Sequence, residues 1–169
     1  MFDAFAHIAR TDPDLALVYV GDGVLREGLQ ARAQESGLGA QVHFLGLLPQ
    51  REISSLLRVS DLFALPSAYE GMPMALLEGL ASGLPAVTMD VGEVRKVVSA
   101  RCGEVVEQQS AEAFAAALAR VLPRLHALAG KPCLQAVENY TPGRVLEPVY
   151  ENYRQLGARQ RHAGRARNM

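Results

Sequence analysis

Residues Pro66 to Thr88 read P-S-A-Y-E-G-M-P-M-A-L-L-E-G-L-A-S-G-L-P-A-V-T, and this stretch decides the fold. A short apolar run ending at Leu65 feeds a polar elbow. Pro73 then opens an apolar helix, and Gly83 closes it before a second apolar run starts at Pro85. Strand, loop, helix and strand in that order make a parallel unit, because a helix between two strands returns the chain to the same end of the sheet. Two carboxylates lie inside the unit, Glu70 on the elbow and Glu78 about two turns into the helix.

Working outward, the same alternation repeats. The apolar spacing of Phe2, Phe5, Ala6 and Ala9 predicts a helix over residues 2–10 with no strand before it. Continuous apolar runs predict strands at 15–20, 41–46, 61–65 and 85–89, with a short final strand at 103–106. Helices are expected at 24–36, over about ten residues after Pro49, at 73–83 and over a short piece from Gly92 to Ser99. From Ser110, a plausible helix cap with Ala113, the pattern becomes wholly helical. Pro123 interrupts it, and Thr141-Pro142 separates segments at 134–139 and 145–156. The expected fold class is therefore α/β, a Rossmann-like three-layer sandwich with a parallel sheet in a single domain spanning 1–157, followed by a basic, disordered tail at 158–169.

Composition narrows the function classes. The chain has 169 residues, 49% hydrophobic and 21% charged, with a net charge of −1. That is globular composition, and no apolar run reaches the roughly 18 residues a membrane helix needs. The last sixteen residues carry Arg154, Arg159, Arg161, Arg165 and Arg167 and no acid; without these five of the 17 basic residues, 12 face 18 acidic ones, or −6 over residues 1–153. A body this acidic argues against nucleic acid as a partner, while the basic tail allows peripheral contact with anionic lipid. The start of the sequence carries no secretory signal, and Cys102 and Cys133 have no metal or redox spacing, so the expectation is a cytoplasmic protein without disulfides. The four histidines are scattered. Gly21-Asp22-Gly23 begins a dinucleotide fingerprint that fails at Arg26, where the third glycine belongs.

In a sheet of this kind ligands bind beyond the carboxyl ends of the strands, so Gly21, Gly46 and the 66–71 elbow should cluster on one edge. Gly71 permits close backbone approach, and the helix start beyond Pro73 offers free N–H groups to an anion such as a diphosphate. Glu78 falls roughly 7–8 Å along the helix from Pro73. A carboxylate there can accept from two neighbouring hydroxyls, as on a ribose. Taken as an isolated pair, the two acids read first as a loop acid near a helix start and an ordinary acid on a helix surface.

The string E-G-M-P-M-A-L-L-E-G-L-A-S-G-L-P-A-V, with D-L-A-L-V-Y-V-G-D-G-V-L-R-E-G-L, V-H-F-L-G-L-L-P and S-D-L-F-A-L-P-S in register before it, resembles the C-terminal, donor-binding half of the group 1 retaining glycosyltransferases of GT-B fold. The resemblance covers about residues 1–157. It implies that Glu70 is the catalytic residue that holds the donor sugar for front-face transfer. Backbone at Gly71, Met72 and Met74 would approach the sugar and diphosphate, Glu78 would hold the ribose hydroxyls, Leu47 and Leu48 would lie against the nucleobase, and Gly21 would border the donor. The implied donor is a nucleoside diphosphate sugar, with no metal and no other cofactor, and the implied setting is polysaccharide or lipopolysaccharide biosynthesis.

Departures accompany these matches. Pro73 stands where a glycine is common and supplies no N–H. The strand and the Arg/Lys loop that usually grip the diphosphate are missing, as is the N-terminal acceptor half, so the chain alone is expected to bind a donor weakly and transfer little. Asp90-Val91-Gly92-Glu93-Val94-Arg95-Lys96 follows the family's Asp-x-Gly-Gly-x-x-Glu segment only in part. Arg95 or Lys96 could offset some of the lost positive charge, although a solvated helix face is the simpler reading. Two other functions stay open: a non-catalytic nucleotide-sugar-binding module that completes a separate acceptor chain, and a GT-B-like nucleotide-sugar epimerase. The family's last helix crosses onto the absent half, which would leave Leu146, Val149, Tyr150 and Tyr153 free for self-association.

Overall fold

A computed structural model describes residues 1–166, with side chains described to Leu156. It divides into two units, Met1–Ala136 and the chain from Val137 onward.

The first unit opens with α1 (Phe2–Ala9) and continues through β1 (Leu17–Tyr19), α2 (Arg26–Glu35), β2 (Val42–Phe44), α3 (Gln50–Val59), β3 (Phe63–Leu65), α4 (Met74–Ala81), β4 (Ala86–Met89) and β5 (Gly103–Val106). Three further helices follow: α5 (Ala111–Val121), α6 (Leu125–Leu128) and α7 (Lys131–Ala136). All strand pairs are parallel, β1 with β2 and β3 with β4 with β5. The expected α/β class and its order of elements are therefore present.

The strands form two ladders, β1-β2 and β3-β4-β5. A doubly wound sheet has the order 3-2-1-4-5-6, and removing its first strand leaves 3-2 and 4-5-6. The single parallel sheet expected from sequence is thus two ladders, because no strand of the chain stands between β1 and β3 to join them. Burial agrees: β4, flanked on both sides, is wholly buried, whereas no residue of β1 or β3 is.

Leu76 and Leu80 of α4, Val87 of β4, Val94 and Phe114 and Val121 of α5 are at most 1% exposed and form the centre of the larger ladder's core. Each such side chain contributes about 1.5–3 kcal/mol by leaving water. A second cluster joins Phe2, Phe5 and Ala9 of α1 to Ala33, Leu38 and Val42, so the opening helix covers the smaller ladder, and it also packs on α5. Ser110 caps α5 as expected, its hydroxyl accepting from the Ala113 N–H at 3.1 Å.

Several boundaries differ from the sequence reading, each for a local reason. Strands β1 and β2 are three residues long, because Gly21 and Gly46 turn the chain with φ of 111° and 69°. Pro73 precedes α4 instead of opening it, with ψ at 114°. The helix expected over Gly92–Ser99 shrinks to a 3-10 turn at Val94–Lys96, since Gly92 is left-handed (φ 52°) and Val97 has left the helical region. The helix expected at 134–139 is α7, ending at Ala136, followed by a turn at Glu138–Tyr140.

The second unit is dominated by α8 (Pro142–Ala166), which starts at the proline expected to separate two segments, because a proline fits the first helical position. Its backbone stays helical across 158–166, within the stretch expected as a tail, and 167–169 lie outside the described residues. Val145, Leu146, Val149, Tyr150 and Tyr153 are exposed. No helix among the described residues is long and apolar enough to cross a membrane.

Thr88 on β4 is fully buried, and its hydroxyl has no hydrogen-bond partner among the described residues. An unpaired buried hydroxyl costs about 1–3 kcal/mol. Thr88→Val removes it at nearly constant shape, so a gain of about 1 kcal/mol and a rise in Tm of about 2–4 °C are expected by calorimetry. A fall in Tm would mean that the hydroxyl is satisfied.

Candidate functional site

The carboxyl ends of the parallel strands define one edge, and the expected residues gather there through specific bonds. At the end of β1, the Gly21 N–H donates to the Gly46 carbonyl at 2.7 Å, forming a bridge that closes the ladder just before Leu47 and Leu48. Arg26 fastens the same corner: its guanidinium donates to the Phe44 carbonyl at 3.3 Å and pairs with Asp22 at 3.7 Å. Gly46 is left-handed (φ 69°), a conformation that favours glycine, and a Cβ on it would stand 3.0 Å from that guanidinium. Leu47 is 81% exposed and Leu48 half-buried. A loop that leaves an aliphatic side chain in water is suited to covering a flat apolar ligand surface.

From Leu48 the chain passes through Pro49 into α3, and here the two halves of the site meet. The Gln50 amide donates to the Glu78 carboxylate at 3.0 Å, tying the Leu47–Leu48 loop to the middle of α4. Glu78 is half-buried, while Leu76, Leu77, Gly79 and Leu80 turn inward. Gly79 allows the helix to lie directly on β3: a Cβ there would come within 2.8 Å of the Phe63 ring. The strand thus sets the height of Glu78.

The elbow is held from its other side. The Gly71 carbonyl accepts from the Glu93 N–H at 2.9 Å, and Gly92 packs so closely that a Cβ on it would stand 2.1 Å from the Gly71 oxygen and 2.4 Å from that of Glu70. No side chain caps the start of α4, so its first N–H groups, at Met74 and Ala75 beside the elbow, have no side-chain acceptor, while those of Leu76 and Leu77 donate to the Pro73 carbonyl. Met74 is 65% exposed and Met72 half-buried at that end. Glu70 is half-buried.

The two cations considered as substitutes for a diphosphate clamp are engaged elsewhere. Arg95 donates to both Asp90 oxygens at 2.8 and 2.9 Å and to Glu107 at 2.7 Å, and these hydrogen bonds hold its guanidinium above the usual arginine range. Lys96 pairs with Glu93. Among the described residues no three His, Cys, Asp or Glu side chains converge. Both cysteines are buried free thiols, and burial pushes that of Cys133 up to about 11.

Sequence reasoning did not single out Gln50, Gly92 or Arg26 as site residues. An exposed glutamine at a helix start reads as a solvated position, and only the fold brings it to a residue 28 positions away. Gly92 left a signal, a glycine between an apolar strand and a charged turn, whose meaning depends on what it packs against.

Comparison with known proteins decides the family. The profile described as glycosyl transferases group 1 matches residues 1–124, well over half of the chain. The chain belongs to the group 1 glycosyl transferases. This group 1 chain is 35% identical over 130 residues to the putative glycosyltransferase EpsF of Bacillus subtilis (strain 168), covering 75% of itself and 32% of that protein. It is 36% identical over 111 residues to the UDP-Gal:alpha-D-GlcNAc-diphosphoundecaprenol alpha-1,3-galactosyltransferase of Escherichia coli, covering 64% of itself and 28% of that relative. It spans about a third of the length of these relatives. Among solved structures it resembles the pneumococcal O-GlcNAc transferase GtfA in complex with UDP and GlcNAc, with a TM-score of 0.80 at 20% identity over 90% of this chain and 32% of the other, a likeness of fold.

Proposed function

We propose that this chain is the donor-binding domain of a retaining glycosyltransferase, holding a nucleoside diphosphate sugar at the carboxyl edge of its strands. The observation that carries the reading is the Gln50–Glu78 bond, because it places a half-buried carboxylate beside an exposed aliphatic loop and behind an uncapped helix start. Those three features match the three parts of the ligand: ribose hydroxyls, base and diphosphate.

Each residue then has a task. Glu78 accepts from the ribose hydroxyls, Leu47 and Leu48 cover the base, and Gly21 lets the backbone turn away beneath it. Backbone amides at Gly71, Met72 and Met74 approach the diphosphate and sugar, in an electrostatic setting provided by the α4 dipole. Glu70 accepts from donor-sugar hydroxyls and holds the sugar with its leaving diphosphate outward, so that the acceptor enters from the face the diphosphate leaves. Transfer replaces the bond between the anomeric carbon and the phosphate oxygen by one to an acceptor oxygen, whose proton departs with the diphosphate. This assignment asks nothing of a metal, and Arg95 and Lys96, paired with acids, do not serve as the clamp.

The chain spans about a third of its curated relatives, so transfer needs an acceptor-binding half, either in one longer polypeptide or as a partner chain. An acceptor of glycan or lipid type is supported by the E. coli relative, whose name gives a diphosphoundecaprenol-linked substrate; work at the cytoplasmic membrane surface would follow. Calorimetric titration with UDP-, GDP- and ADP-sugars tests the reading. One base series is expected to bind weakly, and Glu78→Ala to lower that affinity by roughly tenfold or more, since hydrogen bonds to a charged group contribute about 1.5–3 kcal/mol. Binding by none of the three would refute it.

A further inference from the structure

We infer that Gln50 is a positioning residue for Glu78, fixing the carboxylate so that it recognises the 2′- and 3′-hydroxyls of a ribonucleotide and couples that recognition to the base-covering loop. The inference rests on the donor-site reading of Glu78 given above and adds a residue and a discrimination to it.

Three observations carry it. Gln50 is the first residue of α3 and directly follows Pro49, whose extended backbone (φ −66°, ψ 152°) sets where the helix begins relative to Leu47 and Leu48. Its side chain is free to be solvated at this exposed position, yet it crosses to Glu78 and donates at 3.0 Å. The donor is also a neutral amide. The neighbouring cation, Arg51, turns to Glu52 at 3.8 Å instead. A guanidinium or ammonium on Glu78 would neutralise it and compete with hydroxyl donors, whereas an amide occupies one acceptor site and leaves the charge in place. A carboxylate has about four acceptor sites, so one amide bond leaves enough for two hydroxyls while stopping rotation of the group.

The consequence is specific to the 2′-hydroxyl. A carboxylate held by Gln50 is already oriented when the nucleotide arrives, and the ligand need not order it. Without Gln50 the carboxylate turns freely, and the second of two simultaneous bonds is the one lost. A 2′-deoxy ligand makes only one of them and loses little. Gln50→Lys would set an ammonium on the carboxylate, neutralising it and competing with the hydroxyl donors, so a charged donor does not substitute for the amide.

The test measures the affinities of the full chain for UDP and 2′-deoxy-UDP, or for the corresponding GDP or ADP pair if that base binds more tightly, in wild type, Gln50→Ala, Gln50→Lys and Glu78→Ala. Gln50→Ala is expected to weaken the ribonucleotide about fivefold, the effect of one hydrogen bond, and to leave the 2′-deoxy ligand within twofold, so that discrimination collapses. Gln50→Lys should lose the discrimination as well, and a Lys variant that keeps it would overturn the role given to the neutral amide. Equal weakening of both ligands by Gln50→Ala would mean local damage and overturn the inference, as would no change in either. Retained ribonucleotide affinity in Glu78→Ala, or no nucleotide binding by wild type, would remove the donor-site reading itself, and Gln50's role with it. Loss in Glu78→Ala beside an unchanged Gln50→Ala would sink the positioning role alone.

Discussion

Gly103→Ala is expected to cost about 3–5 kcal/mol, a loss that leaves little or no folded protein at 37 °C. Gly103 begins β5 and pairs with Ala86 on β4, the strand that is buried along its whole length. A methyl group at Gly103 would stand 1.9 Å from the Ala86 carbonyl oxygen and 2.9 Å from its carbon and nitrogen. These are backbone atoms in a three-stranded ladder, so no rotamer change relieves the overlap. Either β5 detaches at this end or the ladder spreads, and both outcomes expose Val87 and Val106. The φ of 156° adds strain for any residue with a Cβ. Chemical denaturation of Gly103→Ala checks this, with Gly143→Ala as the control, because nothing lies within 4 Å of a Cβ at Gly143. A Gly103 variant as stable as that control would contradict the geometry.

The repeated strand-helix order was readable from sequence because the strands are mainly apolar runs and turn residues such as Gly37, Pro49 and Gly83 punctuate the helices, signals that do not depend on distant partners. A single parallel sheet was expected, and the split into β1-β2 and β3-β4-β5 appears only in the fold. Strand lengths were not readable. The apolar run at 15–20 extends one residue past the end of β1, and the long-range bridge of Gly21 to Gly46 is what closes the pairing after Tyr19. The piece expected as a helix from Gly92 to Ser99 failed for a related reason. Its residues tolerate a helix, but Gly92 adopts a left-handed conformation in order to fit under the elbow, and tertiary packing overrides local propensity.

Within the site, the contrast between Glu78 and Gln50 shows where sequence reading stops. The position of Glu78 was legible because it lies on the helix that Pro73 and Gly83 bound, so its distance from the elbow follows from helical rise alone. Gln50 reaches it from another element, and no local period encodes a contact across 28 residues. The same limit applies to Arg95. As a sequence it is a cation near the ligand edge; in the fold Asp90 and Glu107 both hold it. Opposite charges five and twelve residues away could have suggested this, but only the short β5 brings Glu107 alongside.

On the donor-site reading proposed above, Gly92→Ala separates that site from the rest of the fold, and its expected result is a folded protein with nucleotide-sugar binding lost by about a hundredfold or more. A left-handed alanine costs about 1 kcal/mol, which a domain of this size survives. The steric demand falls on one place. At 2.1 Å from the Gly71 oxygen and 2.4 Å from the Glu70 oxygen, the methyl group has to push the elbow outward by about 1 Å to reach ordinary contact distance. That motion breaks the Glu93 N–H bond to the Gly71 carbonyl and carries Glu70 and the amides before α4 away from the ligand. The elbow is a loop, so unlike the β4–β5 ladder it can yield without opening the core. Displacement by 1 Å at a site that aligns several groups at once commonly costs about a hundredfold, because every contact is degraded together. Glu78 sits further along α4, tied to Gln50, and should stay in place. The free nucleoside diphosphate would then lose less affinity than the nucleotide sugar, since the proposed base and ribose contacts of Leu47, Leu48 and Glu78 lie away from the elbow. Parallel titrations with the two ligands, beside a thermal melt, check both halves of the claim. Equal losses for the two ligands would place the damage beyond the elbow, and a collapse of the melt would mean that the loop cannot yield.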